Sequence, residues 1–269
     1  MNIFNANNND LMFCGDIHGE FKSFVHKLVQ LNIDNINIII CGDIGIGFYS
    51  INYYHNLFKQ LNSRLKKRNI HLYCFRGNHD DPDYFNNNIV KTEVLMNITN
   101  IHLMDDYDIL KNDNFSVLVI GGAISIDRKE RWKWDHKTQK QIPCGYWENE
   151  VIKDIPENFI DDLYEKGIAN IDIICSHSAP IFCPPFTKNN LEIFAKYDES
   201  LLDDLDNERK LLEKIYNKLI YHFPLIKYYI YGHFHHSYFI EINDVKFYGL
   251  NKFDECYSLD HKIIYKDNE

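Results

Sequence analysis

The sequence predicts an α/β protein built on a parallel sheet. Three observations carry that expectation. Short apolar runs alternate with longer amphipathic ones. The short runs are rich in β-branched residues. Several end in glycine followed by Asp, Asn or His, at the sheet edge where open α/β folds bind ligands.

Taken in order, 11–16 (LMFCGD) reads as a buried strand. In 20–32, Phe21, Phe24, Val25, Leu28 and Leu31 recur at helical spacing. Residues 36–43 (INIIICGD) read as a second strand and 51–69 as a second helix. That helix has a basic last turn, which suits the helix dipole. Residues 70–77 form a third strand, which gives β-α-β-α-β and a parallel core. Strands are then expected at 114–122, 170–177 and 228–233. A hairpin is expected over 237–242 and 245–250, turning at Asn243–Asp244. Helices are expected within 148–167, broken by Pro156, and over 198–223. One domain covers 1–269, with a long excursion at about 123–147 that holds all three tryptophans.

Composition is that of a globular protein with a full core: 45% hydrophobic and 25% charged. The formal charge of −10, from 39 acidic against 29 basic residues, disfavours gripping extended nucleic acid over the whole surface. The first ten residues resemble no secretory signal, and no apolar run approaches the roughly 20 residues that span a bilayer. Seven cysteines form no CxxC pair. Cys14, Cys41, Cys74 and Cys175 lie in or at the ends of strand-like runs, so a reduced, cytoplasmic setting is expected.

The polar residues at the strand ends are the functional signal. The first strand ends in Asp16 and His18, the second in Asp43, and the third in Asn78, His79 and Asp80. The strand at 170–177 ends in His177, and that at 228–233 runs into His233, His235 and His236. Each alone could be a turn or a solvated surface run. Together, two carboxylates, an amide oxygen and several imidazoles suit two divalent metals of borderline hardness, with no thiolate required.

The motifs GDIHG (15–19), GD (42–43), GNHD (77–80), SHSAP (176–180) and GHFH (232–235) resemble, in order, those of the calcineurin-like metallophosphoesterases. The resemblance implies a four-layer α-β-β-α sandwich. It also implies a dinuclear centre that hydrolyses phosphomonoesters or phosphodiesters by metal-activated hydroxide, the two divalent ions being Mn, Fe, Zn or Ni. By motif, Asp16, His18 and His235 would hold one ion and Asn78, His177 and His233 the other, with Asp43 shared. His79 would contact the phosphate and protonate the leaving oxygen.

The sequence departs from the protein phosphatase branch of this family at one place. Ile46 and Gly47 stand where that branch carries an acidic residue and an arginine. Asp80 or a backbone carbonyl is therefore expected to orient His79. A replacement phosphate-binding cation is expected from Arg76, Arg128 or Arg131, the last two spaced i, i+3. Trp132, Trp134, Tyr146 and Trp147 would close the excursion over the core or stack on an aromatic group. His102, His136 and His222 match no motif. The expected partner is a phosphoester, with a small-molecule or nucleotide phosphodiester preferred to a phosphoprotein. A nuclease, which would use the basic segment 128–140, and a non-catalytic metal-binding scaffold are the alternatives.

Overall fold

The computed structural model describes residues 1–135, 140–186, 191–252, 256–258 and 263–265, with side chains described outside 134–143 and 253–269. His136 and the side chains of Trp134, Lys140 and Cys256 therefore lie outside the described residues.

Two sheets face each other. In the first, the strands Asp10–Cys14, Ile36–Ile40, Ile70–Cys74 and Ile101–Leu103 run parallel in that order. The short strands Cys256–Ser258 and Ile263–Tyr265 extend it antiparallel. The second sheet is ordered Ile3–Asn5, Ile109–Lys111, Ser116–Ile120, Ile173–Ser176, Tyr228–Tyr231, Val245–Gly249 and Tyr238–Ile242. Its central strands, from Ser116–Ile120 to Val245–Gly249, are parallel.

The alternation of side chains along these strands builds the layers. Leu11, Phe13, Ile39, Tyr73 and Phe75 point inward to meet Val117, Val119, Ile173, Cys175 and Ile230 of the other sheet in one buried cluster. Met12, Cys14, Ile38, Ile40 and Leu72 point the opposite way, onto the helices Phe21–Gln30 and Ile51–Lys67. Leu118, Ile120, Ile174, Tyr229 and Tyr231 pack with residues of the helices Phe159–Glu165 and Leu201–His222. The result is the expected four layers. Burial on both faces explains why these strands read as continuous apolar runs, and each fully buried Ile, Leu or Phe side chain contributes about 1.5–3 kcal/mol.

The helices Phe21–Gln30, Ile51–Lys67 and Leu201–His222 match the expected periodic segments, with at most three residues trimmed from an end. The helix expected within 148–167 is confined to Phe159–Glu165, beyond Pro156. The turn between the last two strands of the second sheet has φ of 50° at Asn243 and 63° at Asp244, the left-handed pair of a type I′ hairpin. Within the excursion, Trp132–Asp135 pairs antiparallel with Lys140–Pro143. Trp147 packs edge-on against Phe48 at 5.4 Å and closes the excursion onto the body of the protein, while Trp132 and Tyr146, 6.2 Å apart, meet within it. Cys14, Cys41, Cys74, Cys175 and Cys183 are buried free thiols, and Cys144 is exposed. No helix among the described residues is long and apolar enough to cross a membrane.

Candidate metal centre

The carboxyl ends of five strands, three from the first sheet and two from the second, converge on one cleft of about 700 Å³. Two donor groups meet there. Asp16, His18, Asp43 and His235 form one, Asp43, His177 and His233 the other, with the ligand atoms in each group within 4.8 Å of one another. Asp43 is common to both. Asn78 joins the second group, its Oδ1 lying 3.1 Å from Nε2 of His177.

The backbone is bent to achieve this. His18, Asp43, His233 and His235 all have positive φ, between 44° and 68°, a region L-residues avoid unless the surroundings impose it. Gly77 and Gly232 leave room for the donors. A Cβ at Gly77 would sit 2.1 Å from Oδ1 of Asp43 and 2.6 Å from Nε2 of His177, and one at Gly232 would sit 2.4 Å from Oδ1 of Asp16.

The second group is held from behind. Nδ1–H of His177 donates to the carbonyl of Cys41 at 2.7 Å, which leaves Nε2 facing Asp43 at 3.2 Å. The Asn78 amide donates to Oγ of Ser125 at 2.9 Å, and that hydroxyl donates to Glu150 at 2.8 Å. Ser125 and Glu150 thereby fix which end of the amide enters the cleft. In the first group, Asp16 accepts from the N–H of His233 at 3.0 Å and lies 3.0 Å from Nε2 of His235. Nε2 of His18 lies 2.9 Å from Nε2 of His235.

The electrostatics match the donor types. Burial alone would raise Asp43, but His177, His79 and His18 around it hold its carboxyl well below the usual carboxylate range. Burial alone would lower His177, but Asp43 beside it holds the ring up at about 9. A field that favours a proton on that ring also favours a metal cation. Two buried carboxylates set among imidazoles and one amide oxygen fit a pair of divalent ions, each with mixed N/O ligands.

His79 lines the same cleft, with its backbone N–H donating to Oδ1 of Asp43 at 2.7 Å. Its orienting partner differs from the expected one. Asp80 does not face the imidazole. Its buried carboxylate accepts the N–H groups of Ile44, Gly45, Ile46 and Gly77, at 2.7–3.1 Å. Four converging donors make it a clasp between two loops, and that occupies all the oxygen lone pairs a catalytic role would need. Ile46 is itself buried in the helix-side core. Arg131 is what flanks His79, with Nη2 2.9 Å from Nε2 and Nη1 3.3 Å from Nδ1. Asp127 anchors that guanidinium through Nε at 2.8 Å, and the Gly145 carbonyl accepts from Nη1 at 3.0 Å. Burial, reinforced by Arg131 and His18 and opposed by Asp43, lowers His79 to about 4.

Of the three arginines expected to bind phosphate, only Arg131 lines the cleft. Arg76 is 1% exposed. Its guanidinium is taken up by Asp106, at 2.7 Å, and by the carbonyls of Asn149, Glu150 and Val151. Arg128 ties the excursion to the start of the long helix Leu201–His222 through Asp198, Ser200 and Asp204. Both lie off the cleft, with their guanidinium groups taken up by these partners. His236 is exposed at the cleft wall. His102 stacks on Tyr73 and meets His71, away from the cleft.

Ser125, Asp127 and Glu150 were not anticipated from the sequence. Asp127 carried a legible signal, its i, i+4 spacing to Arg131. Ser125 and Glu150 lie 47 and 72 positions from Asn78, and no local pattern joins them.

Residues 10–237 match the family profile described as calcineurin-like phosphoesterase. No curated protein sequence matches the chain. One solved structure superposes with a TM-score of 0.54 at 10% identity, covering 95% of this chain and 97% of that one, and shows a shared fold. A dimetal phosphatase from Danio rerio aligns with a TM-score of 0.46 at 10% identity, over 91% of this chain and 88% of its own. A cold-active protein-tyrosine phosphatase of a psychrophilic Shewanella species gives 0.37 at 13% identity, over 96% and 77%.

Proposed function

The chain belongs to the calcineurin-like phosphoesterase family, and from that premise we propose that it is a dinuclear metal-dependent phosphoesterase acting on small-molecule or nucleotide phosphoesters, diesters above all. The observation that carries this is the pair of donor groups sharing Asp43. Asp16, His18, Asp43 and His235 would hold one divalent ion, and Asp43, Asn78, His177 and His233 the other. Such a pair supplies a hydrolytic nucleophile at neutral pH and neutralises charge on the phosphoryl oxygens.

The protein's own contribution is placement. Asp43 sets the two ligand groups at a fixed separation, and Ser125 with Glu150 keeps the oxygen of Asn78 turned inward. Arg131 presents a guanidinium to the cleft beside His79, where it would hold a non-bridging phosphoryl oxygen. His79 would touch the phosphate and deliver a proton to the departing oxygen. Burial and Arg131 lower that ring in the free protein, and phosphate charge arriving beside it would raise its hold on the proton.

Two features favour a small substrate over a phosphoprotein or an extended nucleic acid. Ile46 and Gly47 put no charged side chain where the protein phosphatase branch has its acid–arginine pair. The net charge of −10 also disfavours long polyanions.

The test is hydrolysis of bis(p-nitrophenyl) phosphate, p-nitrophenyl phosphate, cyclic nucleotides and single-stranded DNA by protein supplied with manganese, with and without EDTA. Chelator-sensitive turnover that is fastest on the small diesters is expected. Activity unchanged in EDTA, or confined to DNA, would contradict the reading. His79→Ala should retain its metals and lose roughly 10²–10⁴-fold on alkyl esters, and less on p-nitrophenyl esters, whose leaving group needs no proton. A uniform loss across leaving groups would leave His79 only a phosphate-positioning role.

A further inference from the structure

A second cavity, of about 340 Å³, opens beside the metal-ligand cluster. Ile181, Phe186, Leu191, Leu202 and Leu205 make its wall predominantly apolar, with Ser178, Asp206, Glu208 and Arg209 completing the lining. Pro185, His233 and Phe234 line both this cavity and the cleft, so the two spaces adjoin at a proposed metal ligand.

The shared wall is held in place. Arg209 donates to the carbonyls of Ala179, Pro180, Cys183 and Pro185, and its guanidinium lies over the Phe234 ring at 5.4 Å. Those carbonyls occupy its N–H groups, so Arg209 stiffens the loop and is not spent on an anion. At the mouth, Phe186 is 71% and Leu202 51% exposed. Large apolar side chains grouped at the rim of a pocket mark a binding site more often than chance exposure.

We propose that this cavity receives the organic group of the phosphoester, and that the substrate is accordingly an ester of an aryl or medium-chain alkyl alcohol. The inference rests on the phosphoesterase reading and adds the substrate class to it. The phosphoryl group sits among the ligands of the cleft, and the ester substituent passes His233 and Phe234 into the apolar space. A second anionic group would meet Asp206 and Glu208, which line the cavity together with Ile181, Leu202 and Leu205. An aryl group gains the buried area and a ring neighbour in Phe234.

Phosphonates test this without turnover. Manganese-loaded protein is titrated calorimetrically with methylphosphonate and with 2-naphthylmethylphosphonate, which share the anion and differ only in the group that reaches the cavity. Burial is worth about fourfold in affinity per methylene equivalent, so the naphthylmethyl compound should bind at least about tenfold tighter. Leu205→Trp, which fills the cavity, and Leu202→Asp, which charges its exposed rim, should each collapse that ratio toward one. The rim variant keeps the test valid should the filled variant fail to fold. Equal affinities in the wild type, or a preference that survives both substitutions, would overturn the inference and leave the phosphoesterase reading standing. Failure of both phosphonates to bind the manganese-loaded protein would instead bring down that reading, and the inference with it.

Discussion

The two ligand groups that share Asp43 differ in how firmly the fold holds them. In the inner group, His177, Asn78 and His233 are 0%, 3% and 7% exposed. Each of the first two has a dedicated partner behind it: the Cys41 carbonyl for His177, and Ser125 with Glu150 for Asn78. In the outer group, Asp16 is buried, but the side chains of His18 and His235 are 31% and 35% exposed. Their rings contact each other and Asp16, both from residues with positive φ. Partners behind a ligating ring fix its tautomer and direction before a metal arrives, and solvent-facing ligands leave that ordering to the metal itself. Under the proposed assignment, the inner ion would be held in a preformed site and the outer ion would exchange more readily.

The largest expected effect comes from the residue the two groups share. Asp43→Asn should reduce kcat/KM by roughly 10³-fold or more, since several kcal/mol of charge stabilisation depend on both ions. It should also lower metal content. Asp80→Asn provides the control: its carboxylate clasps four backbone N–H groups outside the ligand set, so its main effect should be on thermal stability. Equal activity losses in the two variants at equal metal content would erase the distinction between ligand and clasp.

Ser125→Ala comes next, because it removes the hydroxyl that directs Asn78. Loss of such a partner typically costs about 10–100-fold in metal affinity or activity. The loss should fall on the inner ion, measured as metal retained after dialysis. Weakening confined to the outer ion would show that the inner group does not depend on its backing.

The smallest effect concerns pH. Burial pushes Glu150 up to about 8 in the folded protein, against about 4.5 for an ordinary glutamate. A raised acid contributes stability below its unfolded pKa and loses it as pH rises through the folded value. In metal-free protein, the urea midpoint of Glu150→Gln should therefore gain on that of the wild type between pH 5 and pH 8. A gap that stays constant with pH would contradict the cause assigned to Glu150.

The parts of this account that were legible in the sequence are those written locally. Ile36–Ile40 and Ser116–Ile120 are buried on both faces, so an unbroken apolar run marks them as strands. The cleft residues follow their strands within a few positions, often after a glycine, and recur in one order. Strands of three residues, such as Ile3–Asn5, Ile101–Leu103 and Ile109–Lys111, are too short to show any period. The segment before Pro156 carries helix-like apolar spacing, yet Glu150 is drawn to Ser125 and Arg76 takes three successive carbonyls there, so the tertiary contacts prevail over local preference. The fates of the arginines were hidden for the same reason. Asp106, Asp198 and Asp204, each at least 30 residues away along the chain, hold Arg76 and Arg128 off the cleft, whereas Asp127, four residues away, holds Arg131 at it.

The most direct test of two unequal sites joined at Asp43 is calorimetric titration of metal-free protein with manganese, for the wild type and for His235→Ala. Two binding events of different affinity are expected in the wild type, and the variant should lose the weaker while keeping the tighter. A single class of site in the wild type, or a variant that loses the tighter event, would contradict the assignment of a preformed inner site and an exchangeable outer one.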